Sequence, residues 1–548
     1  MANLRLAALV KAAKEAREKG STLAEAIEEK KESQGVTGMH GEAVTYNKEQ
    51  QEFVRILASG QSCVLVGAAG TGKTTCTQGG IRATIETGII PVLQAGDHKH
   101  LTSGTPGIII VAYTRRATNN IKKVAPPDLY SNCITAHKSI EFAPIYYDIY
   151  DEASGEYKKT MKFEPTRNAI NPLPTSIHTV IIEEASMLGT DLFEQMQEAL
   201  QHKVQWVFIG DIQQLPPVFG PAILGFAMLA LPVIELTHVY RQALESPIIR
   251  LAHRVLSGKP IPAEEYPEWS DSEHLTIHPW KKKITGEDAT RVLASFFTKA
   301  IDSGVYDPEE DMILSPYNKA CGTIELNKYI ANHIARRKGA VTYEVIGGFN
   351  KHYLSIGDKV LYDKEDAEIL EISPNPSYSG ARYQAASIHL DYWGTNQDPS
   401  ASSIPLEYTD DIDFLLDQAA AATDVEDRVT QASHKVRISL LDSGREITLT
   451  KAADVNSLLH AYALTVHKAQ GSEWRKVFLA FHASHAVMMA RELLYTAITR
   501  AREELYIICE PETFTKGILR QRIKGNTLEA KAEHFKGKVD SRTHNYVF

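Results

Sequence analysis

Cys63-Val64-Leu65-Val66-Gly67-Ala68-Ala69-Gly70-Thr71-Gly72-Lys73-Thr74-Thr75 runs from an apolar, strand-like segment through a glycine-broken loop into a helix-compatible stretch. The loop fits GxxxxGK[ST], whose chemistry requires this context, a strand before and a helix after. Glycines let backbone N–H groups turn toward phosphate oxygens, and the helix N-terminus adds positive potential. Lys73 then bridges the β- and γ-phosphates and Thr74 holds Mg²⁺. Gly67, Ala68, Ala69, Gly70, Thr71, Gly72, Lys73, Thr74 and Thr75 are therefore the candidate ATP-binding residues. A ligand-free Gly-rich turn is the plain alternative, and the strand-turn-helix setting argues against it. Alone, the loop implies only a nucleoside triphosphate, because kinases and switch GTPases share it.

Outward from this loop, short β-rich runs alternate with amphipathic helical stretches, the pattern of a parallel sheet covered by helices. Candidate strands are Cys63 to Val66, Ile108 to Tyr113, Val180 to Glu183 and Val204 to Ile209. The rhythm returns at Met312 to Ser315, Ala461 to Val466, Val477 to Phe481 and Leu505 to Cys509. A chain of 548 residues exceeds what one core sustains, so two α/β units are expected. The first covers 43–245 with a hairpin at 141–170, and the second covers 246–363 and 456–510. A β-rich insertion is expected over 364–455, with an Asp442-Ser443-Gly444 turn and a polar stretch from Tyr408 to Ala432. Residues 1–42 read as a helical extension and 511–548 as a basic tail, each expected to be solvated.

Composition narrows the class. Hydrophobic content of 43% and charged content of 23% are ordinary for a globular protein, and no apolar run reaches bilayer length. Leu6 to Val10 is cut short by Lys11 and Lys14 and does not read as a signal peptide, so a cytoplasmic location is expected. Cys63, Cys76, Cys133, Cys321 and Cys509 form no CxxC pair and read as reduced core residues. The net charge of −9 means that any phosphate-binding track must be local.

Val180-Ile181-Ile182-Glu183-Glu184-Ala185-Ser186 puts two carboxylates at the end of a buried strand. Beside a P-loop, the first would hold Mg²⁺ together with Thr74, and the second, Glu184, would polarise the attacking water. An acidic helix start is the plain alternative.

Phe208-Ile209-Gly210-Asp211-Ile212-Gln213-Gln214-Leu215-Pro216-Pro217-Val218 adds a third motif, and Leu236-Thr237-His238-Val239-Tyr240-Arg241-Gln242 a fourth. Thr465-Val466-His467-Lys468-Ala469-Gln470-Gly471-Ser472-Glu473 and Tyr495-Thr496-Ala497-Ile498-Thr499-Arg500-Ala501-Arg502 complete the series. In order and spacing, across about residues 46 to 510, the set resembles the motifs of superfamily 1 helicases. Its Glu-Glu-Ala-Ser-Met and Gln-Leu-Pro-Pro-Val segments resemble the RecD-like and phage Dda-like branch rather than the UvrD-like one. The resemblance implies two RecA-like domains, an SH3-like module within 364–455, and 5′ to 3′ movement on single-stranded DNA. The family usually has Asp where Glu183 stands. The added methylene pushes the carboxylate outward, so a roomier metal site or a different bridging water is expected.

The resemblance assigns further roles by matched position. Gln50, in Tyr46-Asn47-Lys48-Glu49-Gln50, would read the adenine edge, and Glu473 would lie near the ribose. Gln214 would couple γ-phosphate state to the nucleic-acid track. Arg241 and Arg500 would reach across to the γ-phosphate, where bidentate cations stabilise transition-state charge. Thr114, Arg115 and Arg116 look like one DNA-contact motif, Thr135 and His137 like another, and Thr465 and His467 like their counterparts in the second domain. Tyr147, Tyr150 and Phe163 sit in the expected hairpin, where this branch carries a strand-separating pin; aromatic pairing across the hairpin explains them equally well.

The expectation is an ATP- and Mg²⁺-dependent DNA helicase and nucleic-acid-stimulated ATPase. Single-stranded DNA and single-strand/duplex junctions are its expected partners, with replication or recombination proteins docking on the N-terminal extension, no membrane, and a monomeric state. An Upf-like RNA helicase and a nucleotide-gated binding scaffold with weak turnover are the alternatives.

Overall fold

The computed structural model describes residues 36–37, 43–44, 46–151, 156–217, 220–239, 246–270, 273–280, 286–319, 321–348, 350–362, 365–378, 431–441, 444–539, 546 and 548. The expected helical extension lies outside the described residues, apart from a short pairing of Val36–Thr37 with Ala43–Val44. Arg241, Val218, the side chain of Tyr150 and nearly all of the polar stretch 408–432 also lie outside them.

The first α/β unit is built on a six-stranded parallel sheet in the order Val233–Leu236, Cys63–Gly67, Gln205–Gly210, Thr179–Glu183, Ile108–Ala112, Cys133–Thr135. Its inner strands are unbroken apolar runs because helices cover both faces. Val64, Val66, Ile109 and Val111 enter one core, while Cys63, Leu65, Ile108 and Ile110 enter the other. The second unit has a five-stranded parallel sheet, Leu275–Pro279, Ala501–Cys509, Trp474–Phe481, Met312–Ser315, Ala463–Thr465. It too packs on both faces, with Met312 and Leu314 on one side and Ile313 on the other.

Two β additions decorate this frame. Phe142–Asp151 pairs antiparallel with Glu156–Pro165 to make a long hairpin in the first unit. In the second unit, Glu446–Lys451, Gln431–Leu440, Glu365–Pro374, Lys359–Tyr362 and Leu459–His460 form an antiparallel sheet. A hairpin of Thr342–Gly347 and Asn350–Ser355 packs into the same core through Val345 and Leu354. The β-rich region thus begins some twenty residues before the expected start at 364, because those strands share its hydrophobic centre.

The tail corrects an expectation. Helix Pro511–Leu519 buries Phe514 and Ile518 in the second unit, and helix Leu528–Lys536 then crosses to the first unit. There Phe535 packs edge-on to Phe226, and Phe548 stacks on Phe193. Lys516, Arg520, Lys524, Lys536 and Lys538 remain exposed on a segment whose apolar face packs inward, and Lys531 is itself buried with Nζ donating to Ile523 O at 3.4 Å. Among the described residues no helix is long and apolar enough to cross a membrane. All five cysteines are buried and unbonded to one another.

Candidate nucleotide site and nucleic-acid track

The carboxyl ends of three neighbouring strands make one crevice. Cys63–Gly67 runs into the glycine loop, Gln205–Gly210 into Asp211, and Thr179–Glu183 into the acidic pair. Open α/β sheets bind ligands at this edge. In the loop, Gly70 and Gly72 have φ of 80° and 81°, which side-chain-bearing residues adopt at a cost. A Cβ on Gly67 would lie 2.5 Å from the Thr71 hydroxyl. Lys73 Nζ donates to Gly67 O at 2.6 Å and Ala68 O at 3.1 Å, so its charge rests on the loop's own carbonyls. Thr74 is exposed in the first helical turn and Thr75 half-buried behind it. Gln50 is buried: it forms a reciprocal cap with Asn47 and points its amide at Thr71 O, 3.5 Å away.

Glu183 faces Thr77 and Lys73. Burial, followed by the neighbouring Glu184 charge, pushes the Glu183 carboxyl up to about 7 against the pull of Lys73 and the Thr77 hydroxyl. Glu184 has left-handed backbone, φ 52°, and its Oε2 is buried without a hydrogen-bond partner among the described residues. A buried acceptor of this kind is costly unless something completes it. An under-compensated acidic pair next to a phosphate cradle fits a nucleoside triphosphate with a divalent cation, which Thr74 and Glu183 would hold. No cluster of three or more His, Cys, Asp or Glu among the described residues is arranged to hold a metal unaided.

The second unit closes the crevice. Tyr495, fully buried, accepts a hydrogen bond from Ala69 N–H at 2.7 Å and donates one to Asp211 Oδ2 at 2.6 Å. Next to it, the Thr496 hydroxyl accepts from Leu215 N–H at 2.9 Å, and Gln470 donates to Leu215 O at 3.0 Å. Leu215 and Ala69, both from the first unit, pack into the second unit's core. Gln214 is buried beside them, with its Oε1 unpartnered. Arg500 is buried and donates to Thr496 O at 3.0 Å, Ser472 O at 3.1 Å and Thr499 Oγ1 at 3.2 Å. It is held on its own unit in this conformation; burial first, and then the Asp211 charge, push the neighbouring Tyr495 hydroxyl well above its ordinary range and keep it neutral, against a weaker opposing pull from Arg500. Glu473 is exposed.

The expected DNA contacts are distributed differently from one another. Thr114 and Thr135 cap helices, accepting from Ala117 N–H at 3.1 Å and Lys138 N–H at 3.3 Å. Thr465 accepts from Lys468 N–H at 3.3 Å in the turn that follows its strand. Arg115 pairs with Glu365 at 3.2 Å, and Arg116 pairs with Asp366 while its guanidinium lies 5.5 Å over the Trp474 ring. Both arginines are thus committed to carboxylates of the β-rich insertion rather than to an open track. His137 sits edge-on between Tyr113 and Phe142. His467 is half-buried, and burial, with some help from Arg522, pushes its pKa down to about 4. On the hairpin, Tyr147 and Phe163 are exposed, as is Tyr146, and the Tyr147 hydroxyl donates to Glu164.

Sequence reading missed Tyr495, whose motif pointed at Arg500 instead, and missed the hairpin's root. There Arg167, 3% exposed, donates to Glu141 at 2.7 Å and to Asp97 at 2.8 Å. Those three residues lie far apart in the chain and form no spacing signature.

Comparison with known proteins adds ancestry. Residues 45–268 match the AAA domain family, and residues 460–508 match the UvrD-like helicase C-terminal domain family. An ATP-dependent RecD2 DNA helicase of Deinococcus radiodurans is 26% identical over 484 residues, covering 88% of this chain and 51% of that protein. The chain therefore spans about half the length of that relative. The RecBCD enzyme subunit RecD of Buchnera aphidicola subsp. Schizaphis graminum is 23% identical over 480 residues, covering 83% of this chain and 71% of the subunit. Among solved structures, Bacteroides Pif1 bound to ssDNA is 14% identical and covers 90% of this chain and 98% of that one, with a TM-score of 0.45.

Proposed function

We propose that this chain is a RecD-like superfamily 1 helicase that hydrolyses ATP to move along single-stranded DNA, 5′ to 3′, and to open duplex ahead of it. The observation that carries the reading is the meeting of three devices in one crevice: the loop with Lys73, the acidic pair Glu183–Glu184, and residues of the second unit contacting the loop itself. ATP with Mg²⁺ supplies the chemical energy and the electrophilic phosphorus. Lys73 leaves the loop carbonyls to meet phosphate charge. Thr74 and Glu183 would hold the cation, and Glu184 would orient the attacking water and take its proton. Gln50 holds the adenine edge and Glu473 the ribose. Arg500, with Arg241, completes the site only when the units draw together, so hydrolysis is tied to domain closure.

Movement follows if the two units grip the strand alternately. Thr114 and Thr135 lie at strand-to-helix turns and Thr465 at a strand end leading into a turn, where hydroxyls and backbone N–H groups hold phosphates without reading bases, as sequence-independent movement requires. Arg115 and Arg116 join that track when Glu365 and Asp366 release them. Tyr147, Tyr150 and Phe163 make the hairpin a wedge at the junction.

The test is strand displacement with ATP and Mg²⁺ on duplexes bearing a 5′ or a 3′ single-stranded tail. Unwinding of the 5′-tailed duplex is expected, with loss by about 10³-fold in Lys73→Ala. Unwinding of the 3′-tailed duplex alone refutes the polarity, and an inert protein with intact fold refutes the motor.

A further inference from the structure

The Tyr495 hydroxyl stands between the phosphate loop of one unit and the loop after Gly210 of the same unit, though it belongs to the other unit. Both of its hydrogen bonds are short, a part-buried one of 2.7 Å from Ala69 N–H and a buried one of 2.6 Å to Asp211 Oδ2. Since the hydroxyl has one proton and gives it to the carboxylate, its orientation is fixed, and the oxygen's lone pair is free only for the loop amide. Asp211 in turn holds its own loop, its carboxylate accepting from Gln213 N–H at 2.9 Å and its backbone carbonyl from Gln214 N–H at 3.1 Å. One residue further on, Thr496 holds Leu215 N–H, and the Thr496 carbonyl carries Arg500. The phosphate loop, the loop bearing Gln214 and the arginine's perch thus share one hydrogen-bonded line.

We propose that Tyr495 is the positioning residue that transmits nucleotide occupancy of the glycine loop to the strand-gripping surface. The inference rests on the motor reading above and deepens it. A single amide hydrogen cannot be given fully to a phosphate oxygen and to a tyrosine oxygen at once. Nucleotide in the loop therefore competes with Tyr495 for Ala69 N–H, and loss of that bond frees the end of the Arg491–Ile498 helix to shift with Arg500 and with the Leu215 contact. The ring packs in the second unit's core, so the hydroxyl alone carries the message.

The experiment measures linkage, not turnover. Binding of a non-hydrolysable ATP analogue and of a fluorescent oligo-dT strand is titrated separately and together, on wild type, Tyr495→Phe and Asp211→Asn. Coupling free energies between two sites commonly change affinity by about 5- to 150-fold, and equally in both directions. Wild type should show such a factor. In Tyr495→Phe, each ligand alone should bind within about threefold of wild type, while the coupling factor falls toward one. Asp211→Asn, which keeps an acceptor oxygen but not its charge, should lose part of the coupling in the same sense, and it serves if Tyr495→Phe does not fold. Undiminished coupling in either folded variant overturns the proposal and leaves the motor reading standing. A wild type that binds neither ligand, or binds both without coupling, overturns the motor reading and the proposal together.

Discussion

Glu184 holds a backbone conformation, φ 52°, that costs a non-glycine residue on the order of 1 kcal/mol, and it buries a carboxylate oxygen without a partner. Strain and desolvation are concentrated on the residue proposed to activate water. Glu184→Gly should therefore raise stability by about 1 kcal/mol in a urea melt while abolishing ATP turnover, a pairing that a purely structural acid would not produce. His467 gives a second residue-scale prediction. Its unfolded pKa lies near 6.5 and its folded value near 4, so between these limits the unfolded chain binds more protons and acid favours unfolding. Stability is thus held above about pH 6.5 and lost as pH falls toward 4. Thermal melts over that window should flatten in His467→Gln. His467 is also neutral near pH 7, and its replacement should leave the salt dependence of DNA binding unchanged. At this scale the gathering of Lys73, Thr74, Glu183 and Glu184 at one crevice was legible because the chemistry proposed for them demands fixed spacing after a strand. Tyr495 was not, since nothing in a sequence says which hydroxyl of one unit will meet an amide of the other.

The hairpin was legible as an element and illegible in its mounting. Alternating aromatics around a turn gave its strands, and the structure extends them to Phe142–Asp151 and Glu156–Pro165. What fixes its angle is the buried set at its base. Burial works against the Glu141 carboxylate, but Lys99 N–H and the Arg167 guanidinium outweigh that cost and hold its carboxyl below the usual range. Glu141 also has left-handed backbone, φ 51°. Arg167→Met strands a buried carboxylate and should cost about 3–5 kcal/mol. The milder Arg167→Lys should keep DNA-stimulated ATPase while lowering base pairs opened per ATP, because Lys cannot serve Glu141 and Asp97 through one planar fork. Tyr147→Ala with Phe163→Ala should give the same split at unchanged stability, since both rings are exposed. Equal loss of ATPase and unwinding in that double variant would remove the wedge assignment. Short strands such as Cys133–Thr135 and Val233–Leu236 escaped the sequence reading because so few residues set no period.

At the scale of the whole molecule, the two-unit architecture was readable from the recurring strand-helix rhythm, but the path of the tail was not. Lys and Arg between 516 and 538 suggested a solvated helix, whereas Phe535 and Phe548 bind the first unit's aromatic core. The surface they fill belongs to residues some three hundred positions earlier, and no local pattern records that. Phe535→Ala should cost about 3–5 kcal/mol. Gly225→Ala should also destabilise, because its new Cβ would lie 2.2 Å from the Phe535 ring. Chemical denaturation reads both, and a wild-type midpoint in Phe535→Ala would show the tail to be ornamental.

That returning segment has a mechanical corollary. The polypeptide departs the first unit beyond Leu236 and rejoins it at Ile523, so the second unit is fastened at two separated points instead of dangling from one. A body pinned twice keeps its swing about the line through the pins and gives up sliding and twisting. In the motor proposed above, each opening and shutting would then retrace a single arc, and the strand would be handed forward along the same lane every cycle.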